Sequence, residues 1–328
     1  MAQATDTEKY FEWLDKGTTR LQKELDLVYL EALALMGESV FQKEVPAEIK
    51  EKELIKNLIN KIEKLEAPKE AVRRAIQLAV LKGMREATQP HHAMTPDAVA
   101  LFIGFLLDKL LSKTMDENKY VLYDPALGAG NLMTAVSNQM KSDTHFIGVE
   151  PDETLLQLAF VNANLQKHSV DLFHQDSVAS QAIKNVHAVV SDLPIGYYPN
   201  DDIASKFSVA ASSGHTYVHH LLIEQAIDHT VEGGFLVFLV PNSLFQSEQS
   251  DKLHAMVKQT SDIYAFLQLP ATMFKTKQAA KSILVLRKKK DGVIPPKQAL
   301  LAELPSFARE DALKDMMAQI STWFDQNL

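Results

Sequence analysis

The chain has 328 residues, a formal net charge of −8, a hydrophobic content of 46% and no cysteine. Its length predicts two domains, or one domain with extensions, and its negative charge argues against sequence-blind binding of duplex nucleic acid by the whole surface. The lack of cysteine excludes disulfides, cysteine-based zinc sites and thiol nucleophiles, and it favours a cytoplasmic protein. No window of about 18 apolar residues occurs, so no membrane span is expected.

The N-terminal residues, 1–90, are predicted to form an all-helical domain. Apolar residues recur there at three- and four-residue steps, as at Leu58 and Ile62, and no alternating β-branched run interrupts them. Pro46 and Pro68 stand where helices would begin, which suits proline in a first helical turn. We interpret this domain as a scaffold or docking module.

Strands and helices are predicted to alternate from Tyr120 onward, after a helix that runs from about Asp97 to Lys113. Seven nearly continuous apolar runs are strand candidates: 120–124, 144–149, 170–174, 186–191, 235–240, 262–269 and 281–287. This alternation predicts an α/β domain over residues 91–290, with a doubly wound, mostly parallel, seven-stranded sheet of the Rossmann-like kind. The last two strands have no helix between them, so we expect an antiparallel edge.

The remaining residues, 291–328, are predicted to form a C-terminal tail with an amphipathic helix. Five apolar residues fall on one face of that helix: Leu313, Met316, Met317, Ile320 and Phe324. We expect this face to pack back on the α/β domain.

Residues 121–131, VLYDPALGAGN, predict a strand that breaks into a glycine-rich turn and then a helix start. Gly128 and Gly130 flank Ala129, and Asn131 opens the helix. Such a turn lets the backbone approach a ligand and points free N–H groups at it. Many doubly wound proteins contain such a turn, so it does not identify the ligand by itself.

Acidic residues follow the next three strand candidates. Glu150 lies 20 residues past Gly130, a spacing that suits a carboxylate that accepts both ribose hydroxyls of a nucleoside cofactor. Asp176 follows the third strand and could accept from an adenine amino group, and Asp192 ends the fourth. Ligands of open α/β sheets bind beyond the carboxyl ends of the strands, so three acids in register favour a cofactor site over solvated strand ends. Met133 stands where a dinucleotide-binding turn would have its third glycine.

In this order the motifs resemble the adenine amino-group (N6) DNA methyltransferases, in particular the methylation subunit of type I restriction–modification systems. The segment MTPDAVALFIGFLL resembles the entry helix of that family, DPALGAGNL resembles its glycine loop, and Asp192-Leu193-Pro194-Ile195 stands at its Asn/Asp/Ser-Pro-Pro-aromatic motif. The resemblance runs from about His91 to Lys290. It implies S-adenosylmethionine as the cofactor, with these residues at its site: Thr95, Asp124, Pro125, Gly128, Ala129, Gly130, Asn131, Glu150, Asp176 and Ser177.

The chemistry of this family explains why the fourth motif matters. An adenine amino group is a poor nucleophile, because its lone pair is delocalised into the ring. Two acceptors that take its hydrogens draw the nitrogen toward tetrahedral geometry and free the lone pair for the methyl group. The side chain of Asp192 and the carbonyl of Leu193 can fill these roles, and the predicted catalytic residues are therefore Asp192, Leu193, Pro194 and Ile195.

The motif departs from the family at two positions. Leu193 replaces the first proline and adds a backbone N–H that proline lacks. Ile195 replaces the aromatic residue that would stack on a flipped base, an interaction worth roughly 1–3 kcal/mol per base. Tyr197 or Tyr198 could supply the ring, or could simply pack the loop. We expect methyl transfer to a planar amino nitrogen and favour adenine in DNA as the acceptor over an amino group in RNA or a protein glutamine. The alternative is a cofactor-binding sensor or interaction module without transferase activity.

Features outside these motifs are less specific. Seven basic residues and no acid occur between Lys275 and Lys290; such a run can track nucleic-acid phosphates, or it can be a basic edge strand that resists aggregation. The pairs His91-His92 and His219-His220 lack a metal-ligand spacing, so no metal is predicted. The loop 197–216 could close over a substrate. The tail is too short for a target-recognition domain, so sequence specificity would have to come from the helical domain or from a partner. The resemblance to type I methylation subunits implies a specificity-conferring protein partner.

Overall fold

The computed structural model describes residues 4–86, 94–179 and 183–328. Four helices form the N-terminal part: α1 Asp6–Leu25, α2 Tyr29–Gln42, α3 Lys52–Leu65 and α4 Lys69–Glu86. Pro68 directly precedes α4 as predicted, whereas Pro46 lies in the loop between α2 and α3 and begins no helix. His91 and His92 lie outside the described residues.

The helical part packs on the rest of the chain through α2 and α4. An added Cβ at Gly37 would lie 2.2 Å from Cγ1 of Val161, so only glycine allows this close approach. Ala129, Leu155 and Leu158 belong to the same buried apolar cluster as the N-terminal helices. The helices therefore share a core with the segment that carries the glycine turn.

An eight-stranded sheet forms the centre of the remaining chain. Its elements in chain order are α5 Asp97–Thr114, β1 Lys119–Asp124, α6 Asn131–Gln139, β2 Asp143–Glu150, α7 Glu153–Leu165, β3 Ser169–His174, β4 Val186–Asp192, α8 Asp201–Ala204, α9 Val218–His229, β5 Thr230–Pro241, α10 Ser250–Thr260, β6 Ser261–Gln268, β7 Lys281–Lys288, β8 Leu300–Glu303 and α11 Glu310–Asn327. The strand order is β3-β2-β1-β4-β5-β7-β6-β8. The mostly parallel, doubly wound fold predicted from the sequence is confirmed.

The count of seven strands and the position of the antiparallel strand were wrong. β8 is an eighth strand that pairs parallel to β6 at the sheet edge, and its four residues are too few to reveal a periodicity. β7 is antiparallel, as expected, but it lies between β5 and β6 and not at the edge. Its apolar residues 283–286 alternate between the two faces of the sheet and are buried in the apolar layers that cover these faces.

Apolar layers cover both faces of the sheet. One layer joins α5, α6 and the C-terminal helix, where Ile320 and Phe324 are buried and Leu313, Met316 and Met317 are partly buried. The other layer contains buried residues of α9 and α10. We retain 1–90, 91–290 and 291–328 as a proposed domain division. Within the described residues, no helix is both long and apolar enough to cross a membrane.

Candidate active site

The predicted site residues gather at the carboxyl ends of β1, β2 and β4. β1 lies between β2 and β4, and the chain reverses its winding direction between β1 and β4. Such a switch point leaves a crevice where ligands of open α/β sheets bind. Asp124 ends β1, Glu150 ends β2 and Asp192 ends β4, so the three acids lie along one edge.

The turn between β1 and α6 has the backbone shape that its glycines suggest. Gly128 has a φ of +57° and Gly130 a φ of +73°, both in the left-handed region that favours glycine. An added Cβ at Gly130 would lie 3.1 Å from Cβ of Ala159, so the turn packs closely on α7. An added Cβ at Gly128 would meet no atom within 4 Å, which leaves open space beside the turn for a ligand.

Glu150 is held against this turn. One carboxylate oxygen, Oε2, accepts from the N–H of Gly128 at 2.8 Å, and the other, Oε1, accepts from the N–H of Asp152 at 3.0 Å. The residue is only 8% exposed. Because a carboxylate oxygen can accept more than one hydrogen bond, these two backbone bonds do not prevent the side chain from accepting hydroxyl hydrogens.

Asp124 is buried beneath the turn. Its Oδ1 accepts from the Ala126 N–H at 2.9 Å and from the Ser191 hydroxyl at 2.6 Å. The pKa of Asp124 is raised from 3.8 to about 7, mainly by burial and to a smaller extent by the nearby carboxylates of Asp192 and Glu150, while its hydrogen bonds from Ser191 and Ala126 act in the opposite direction. The folded chain therefore keeps a proton on Asp124 at pH values where the unfolded chain has lost it.

This raised pKa predicts a pH-dependent stability. Between about pH 4 and pH 7 the folded state binds one proton more than the unfolded state at Asp124, so the free energy of unfolding falls as the pH rises through this window. Asp124→Asn removes this pH dependence. We therefore expect the free energy of unfolding of the variant to rise relative to that of the wild type by roughly 1 kcal/mol per pH unit between about pH 5 and pH 7. Urea unfolding at several pH values measures the difference. Exposed Asp202→Asn is the control, and a pH-independent difference for Asp124→Asn would contradict the assignment.

The segment after β3 is tied to the turn after β1. The Ser177 hydroxyl donates to the Pro125 carbonyl, and Asp176 accepts from the Val178 N–H at 3.0 Å and from the Tyr198 hydroxyl at 2.5 Å. Tyr198 is buried, and burial together with Asp176 raises the pKa of its phenol. Of the two tyrosines considered for the missing aromatic position, Tyr198 therefore packs the loop. Asp176 itself is exposed.

Asp192 is oriented by two side chains. Its Oδ2 accepts from the Thr95 hydroxyl at 2.9 Å, and its Oδ1 forms an ion pair with the Lys281 ammonium. Thr95, which was predicted to contact the cofactor, thus joins the predicted cofactor site to the fourth motif through its hydroxyl. Lys281 begins β7, next to the end of β5, so the antiparallel strand brings this ammonium to the carboxyl ends of the parallel strands.

The contacts of Leu193 explain why leucine can stand at the first proline position of the fourth motif. The Leu193 N–H donates to the Leu239 carbonyl at 3.2 Å, a bond that proline cannot form. The Leu193 side chain is completely buried in the layer that contains α9 and α10. The exchange therefore extends the pairing of β4 with β5. Pro194 and Ile195 are exposed, Ile195 to 47%.

A stack of three rings lies beside this motif. Tyr197 is 56% exposed and stacks on Tyr217, with ring centroids 4.8 Å apart and an interplanar angle of 11°. Tyr217 stacks in turn on His219 at 5.1 Å. His219 hydrogen-bonds to the Pro194 backbone, and burial lowers its pKa to about 3, so its ring is neutral. The sequence reasoning missed Tyr217 and gave His219 no role, since they follow the motif by more than 20 residues and meet it only through the fold.

The basic run from Lys275 to Lys290 does not form one surface. Lys281 pairs with Asp192, whereas Arg287 is buried and donates to the Gly233 carbonyl at the opposite end of the strand, roughly 20 Å away. The alternative interpretation as an edge strand is also wrong, because β7 is internal. Lys275 and Lys277 are the exposed residues of the run near the site.

The described residues contain no group of three or more His, Asp or Glu side chains that could hold a metal ion.

The chain is similar to known proteins over nearly its whole length. Residues 8–84 match the YtxK N-terminal helical domain, and residues 86–319 match the N-6 DNA Methylase family. Uncharacterized protein YtxK of Bacillus subtilis (strain 168) is 45% identical over 320 residues, which are 96% of each chain. The crystal structure of a candidate class I S-adenosylmethionine-dependent methyltransferase from Listeria monocytogenes has a TM-score of 0.89 and 38% identity, and the match covers 97% of this chain and 99% of that one.

A more distant structure shares the fold alone. The type I restriction–modification methyltransferase subunit from Streptococcus thermophilus has a TM-score of 0.61 and 14% identity, and the match covers 98% of this chain and 75% of that one. Together with the site geometry, these matches define a class I methyltransferase fold. The chain belongs to the N-6 DNA Methylase family, and its cofactor is S-adenosylmethionine. The resemblance drawn from the sequence motifs is therefore confirmed.

Proposed function

We propose that this methyltransferase transfers the methyl group of S-adenosylmethionine to an amino nitrogen, and that the acceptor is adenine in DNA. The observation that carries the proposal is the placement of Asp192. Its carboxylate lies at the carboxyl end of β4, beside the strand that leads into the glycine turn, and it is fixed there by Thr95 and Lys281. Pro194 and Ile195 follow it at the surface, where an acceptor can reach them.

The cofactor would lie along the glycine turn. Glu150 is anchored at the turn by backbone N–H groups and would accept the two ribose hydroxyls, and exposed Asp176 would accept from the adenine amino group of the cofactor. The open space beside Gly128 fits the close approach of a ligand. We propose that the following residues also shape this site: Thr95, Asp124, Pro125, Ala129, Gly130, Asn131 and Ser177. The bound cofactor supplies an electrophilic methyl group.

The protein groups would activate the acceptor by hydrogen bonding. Asp192 and the Leu193 carbonyl would accept the two hydrogens of the acceptor amino group, so that its lone pair becomes available to the methyl carbon. Each oxygen of Asp192 already accepts one hydrogen bond, but a carboxylate oxygen can accept another. The methylated nitrogen then loses one proton to solvent, and no covalent enzyme intermediate forms.

The ring stack favours a nucleobase as the acceptor over a glutamine side chain. Tyr197 lies two residues after Ile195, and Tyr217 supports its ring from behind. An exposed aromatic ring held in this way can stack on a flipped base, a role that isoleucine cannot fill. The supporting residues make the ring rigid, which reduces the entropy lost on binding.

Tyr197→Ala is expected to weaken acceptor binding. Because stacking on one base is worth roughly 1–3 kcal/mol, we expect KM for the nucleic acid to rise about tenfold while the affinity for S-adenosylmethionine is unchanged. Steady-state kinetics with a methylatable oligonucleotide and calorimetry with the cofactor measure the two quantities. Tyr197→Phe is the matched control and should retain the wild-type KM. An unchanged KM in Tyr197→Ala would remove the ring from the acceptor site.

The experiment that tests the proposed acceptor uses radiolabelled S-adenosylmethionine. The protein is incubated with unmethylated DNA, with RNA and with cell lysate, and the labelled product is digested and identified. Labelled N6-methyladenine in DNA supports the proposal. Label in RNA or on protein glutamine would replace DNA as the acceptor while it preserves the chemistry at Asp192.

Partners and location are also part of the proposal. We propose that Lys275 and Lys277 contact nucleic-acid phosphates near the site, since they are the exposed part of the basic run there. Sequence specificity would come from a protein partner, by analogy with type I restriction–modification systems. We place the protein in the cytoplasm.

A second candidate function is a cofactor-binding sensor or interaction module that does not methylate. The ion pair of Asp192 with Lys281 favours it, because an acceptor amino group must share an oxygen that a full positive charge already holds. The departure at Ile195 favours it too. Cofactor binding without label in DNA, RNA or lysate protein would select this candidate.

A further inference from the structure

One buried arginine, Arg73 on α4, connects the N-terminal helices to the site. Its side chain is 0% exposed. Nη1 donates to Oδ1 of Asn131 at 2.8 Å, and Nη2 donates to Oδ1 of Asp97 at 2.5 Å and to Oε1 of Glu70 at 2.7 Å. A guanidinium presents its donors in a rigid planar fork, so these partners are held in one relative geometry.

Two of these partners lie on either side of Thr95. Asp97 follows Thr95 by two residues at the start of α5, and Asn131 Nδ2 donates to the Thr95 carbonyl at 3.3 Å. The Thr95 hydroxyl then donates to Asp192. A chain of three hydrogen bonds and the Thr95 residue itself therefore lead from Arg73 to the carboxylate of the fourth motif.

Asn131 also connects Arg73 to the glycine turn. It is the first residue of α6 and directly follows Gly130, so its position sets the position of the helix N-terminus that faces the cofactor site. A buried ion pair is a weak source of stability, because desolvation offsets its attraction. Burying a guanidinium between the helices and this turn is therefore better explained by the geometry that it imposes than by the stability that it adds.

We propose that Arg73 is a positioning residue of the methyltransferase, and that through it the helical domain holds the α6 N-terminus for cofactor binding and Thr95 for the orientation of Asp192. The helical domain is thus part of the catalytic unit and not a detachable docking module. The part that concerns Asp192 rests on the proposed function. The part that concerns the cofactor does not, because cofactor affinity is measured without an acceptor.

Arg73→Met removes the fork while it retains most of the side-chain volume. We expect it to lower the affinity for S-adenosylmethionine about tenfold, a typical effect of breaking one link in a coupled network. The matched control is Arg74→Met. Arg74 lies next to Arg73 and contacts the same two carboxylates, Glu70 and Asp97, but no contact joins it to Asn131. Its cofactor affinity should stay within about twofold of the wild type.

A double-mutant cycle separates positioning from general destabilisation. If Arg73 acts through Asn131, then Arg73→Met combined with Asn131→Ala should bind the cofactor no more weakly than the weaker single variant. Calorimetry at a temperature where all variants are folded measures these affinities, and Arg73→Lys replaces Arg73→Met if the latter does not fold. Wild-type cofactor affinity in the Arg73 variant would overturn the proposal. So would a double variant whose loss of affinity equals the product of the losses in the two single variants. Failure to find a methyl acceptor affects only the proposed function.

Discussion

Asp192→Ala is expected to lower kcat for methyl transfer by about a hundredfold or more, the usual cost of losing one group that stabilises developing charge. The variant loses the oxygen that would accept an amino hydrogen, and Lys281 and Thr95 lose their shared partner. The affinity for S-adenosylmethionine should change little, because Glu150 is held at the glycine turn by the N–H groups of Gly128 and Asp152 and Asn131 is still held by Arg73. Single-turnover transfer from labelled cofactor and calorimetry measure the two effects.

Two control variants make this result specific. Asp192→Asn keeps an acceptor oxygen for the Thr95 hydroxyl and for the substrate, so it should retain most of the activity that the alanine variant loses. Asp202→Ala removes an exposed carboxylate from α8, in the loop after the motif, and should leave transfer unchanged. Full turnover by Asp192→Ala would exclude Asp192 as the acceptor of the amino hydrogens.

The parallel half of the fold was predictable because its central strands, such as β1 and β4, are short apolar runs that are largely buried, as strands covered on both faces are. β3 is a mostly exposed edge strand with a weaker pattern. The acids Glu150, Asp176 and Asp192 stand at or just after the ends of β2, β3 and β4. The order of the last strands was not predictable. Whether β7 pairs at an edge or inserts between β5 and β6 depends on contacts between chain segments, and β7 carries no residue pattern that distinguishes the two.

The site was predictable where one strand end supplies one residue, and not where distant segments meet. The run of basic residues suggested one surface, but an antiparallel strand carries Lys281 and Arg287 to opposite ends of the sheet. Arg73 left a detectable signal that the sequence reasoning did not use. It shares the apolar stripe of its helix with Ile76 and Val80, and a charge in such a stripe needs a buried partner.

Glu150→Ala is expected to lower the affinity for S-adenosylmethionine about a hundredfold. Hydrogen bonds to a charged group contribute roughly 1.5–3 kcal/mol each, and two ribose hydroxyls would lose their acceptor. The variant also removes the oxygen that fixes the Gly128 N–H, so the turn loses an anchor in addition to the ligand contact. Calorimetric titration with S-adenosylmethionine and with its demethylated product measures the loss.

The charge and the geometry of Glu150 can be separated by two further variants. Glu150→Gln keeps one acceptor oxygen of nearly the same shape, so its affinity should fall between those of the wild type and the alanine variant. Glu153→Ala, an exposed acid at the start of α7, controls for the general loss of negative charge near the site. Equal affinity in Glu150→Ala and wild type would remove Glu150 from the cofactor site. The hydrogen bond from the Gly128 N–H to Glu150 would then serve only to hold the glycine turn in place, and other residues would have to bind the ribose.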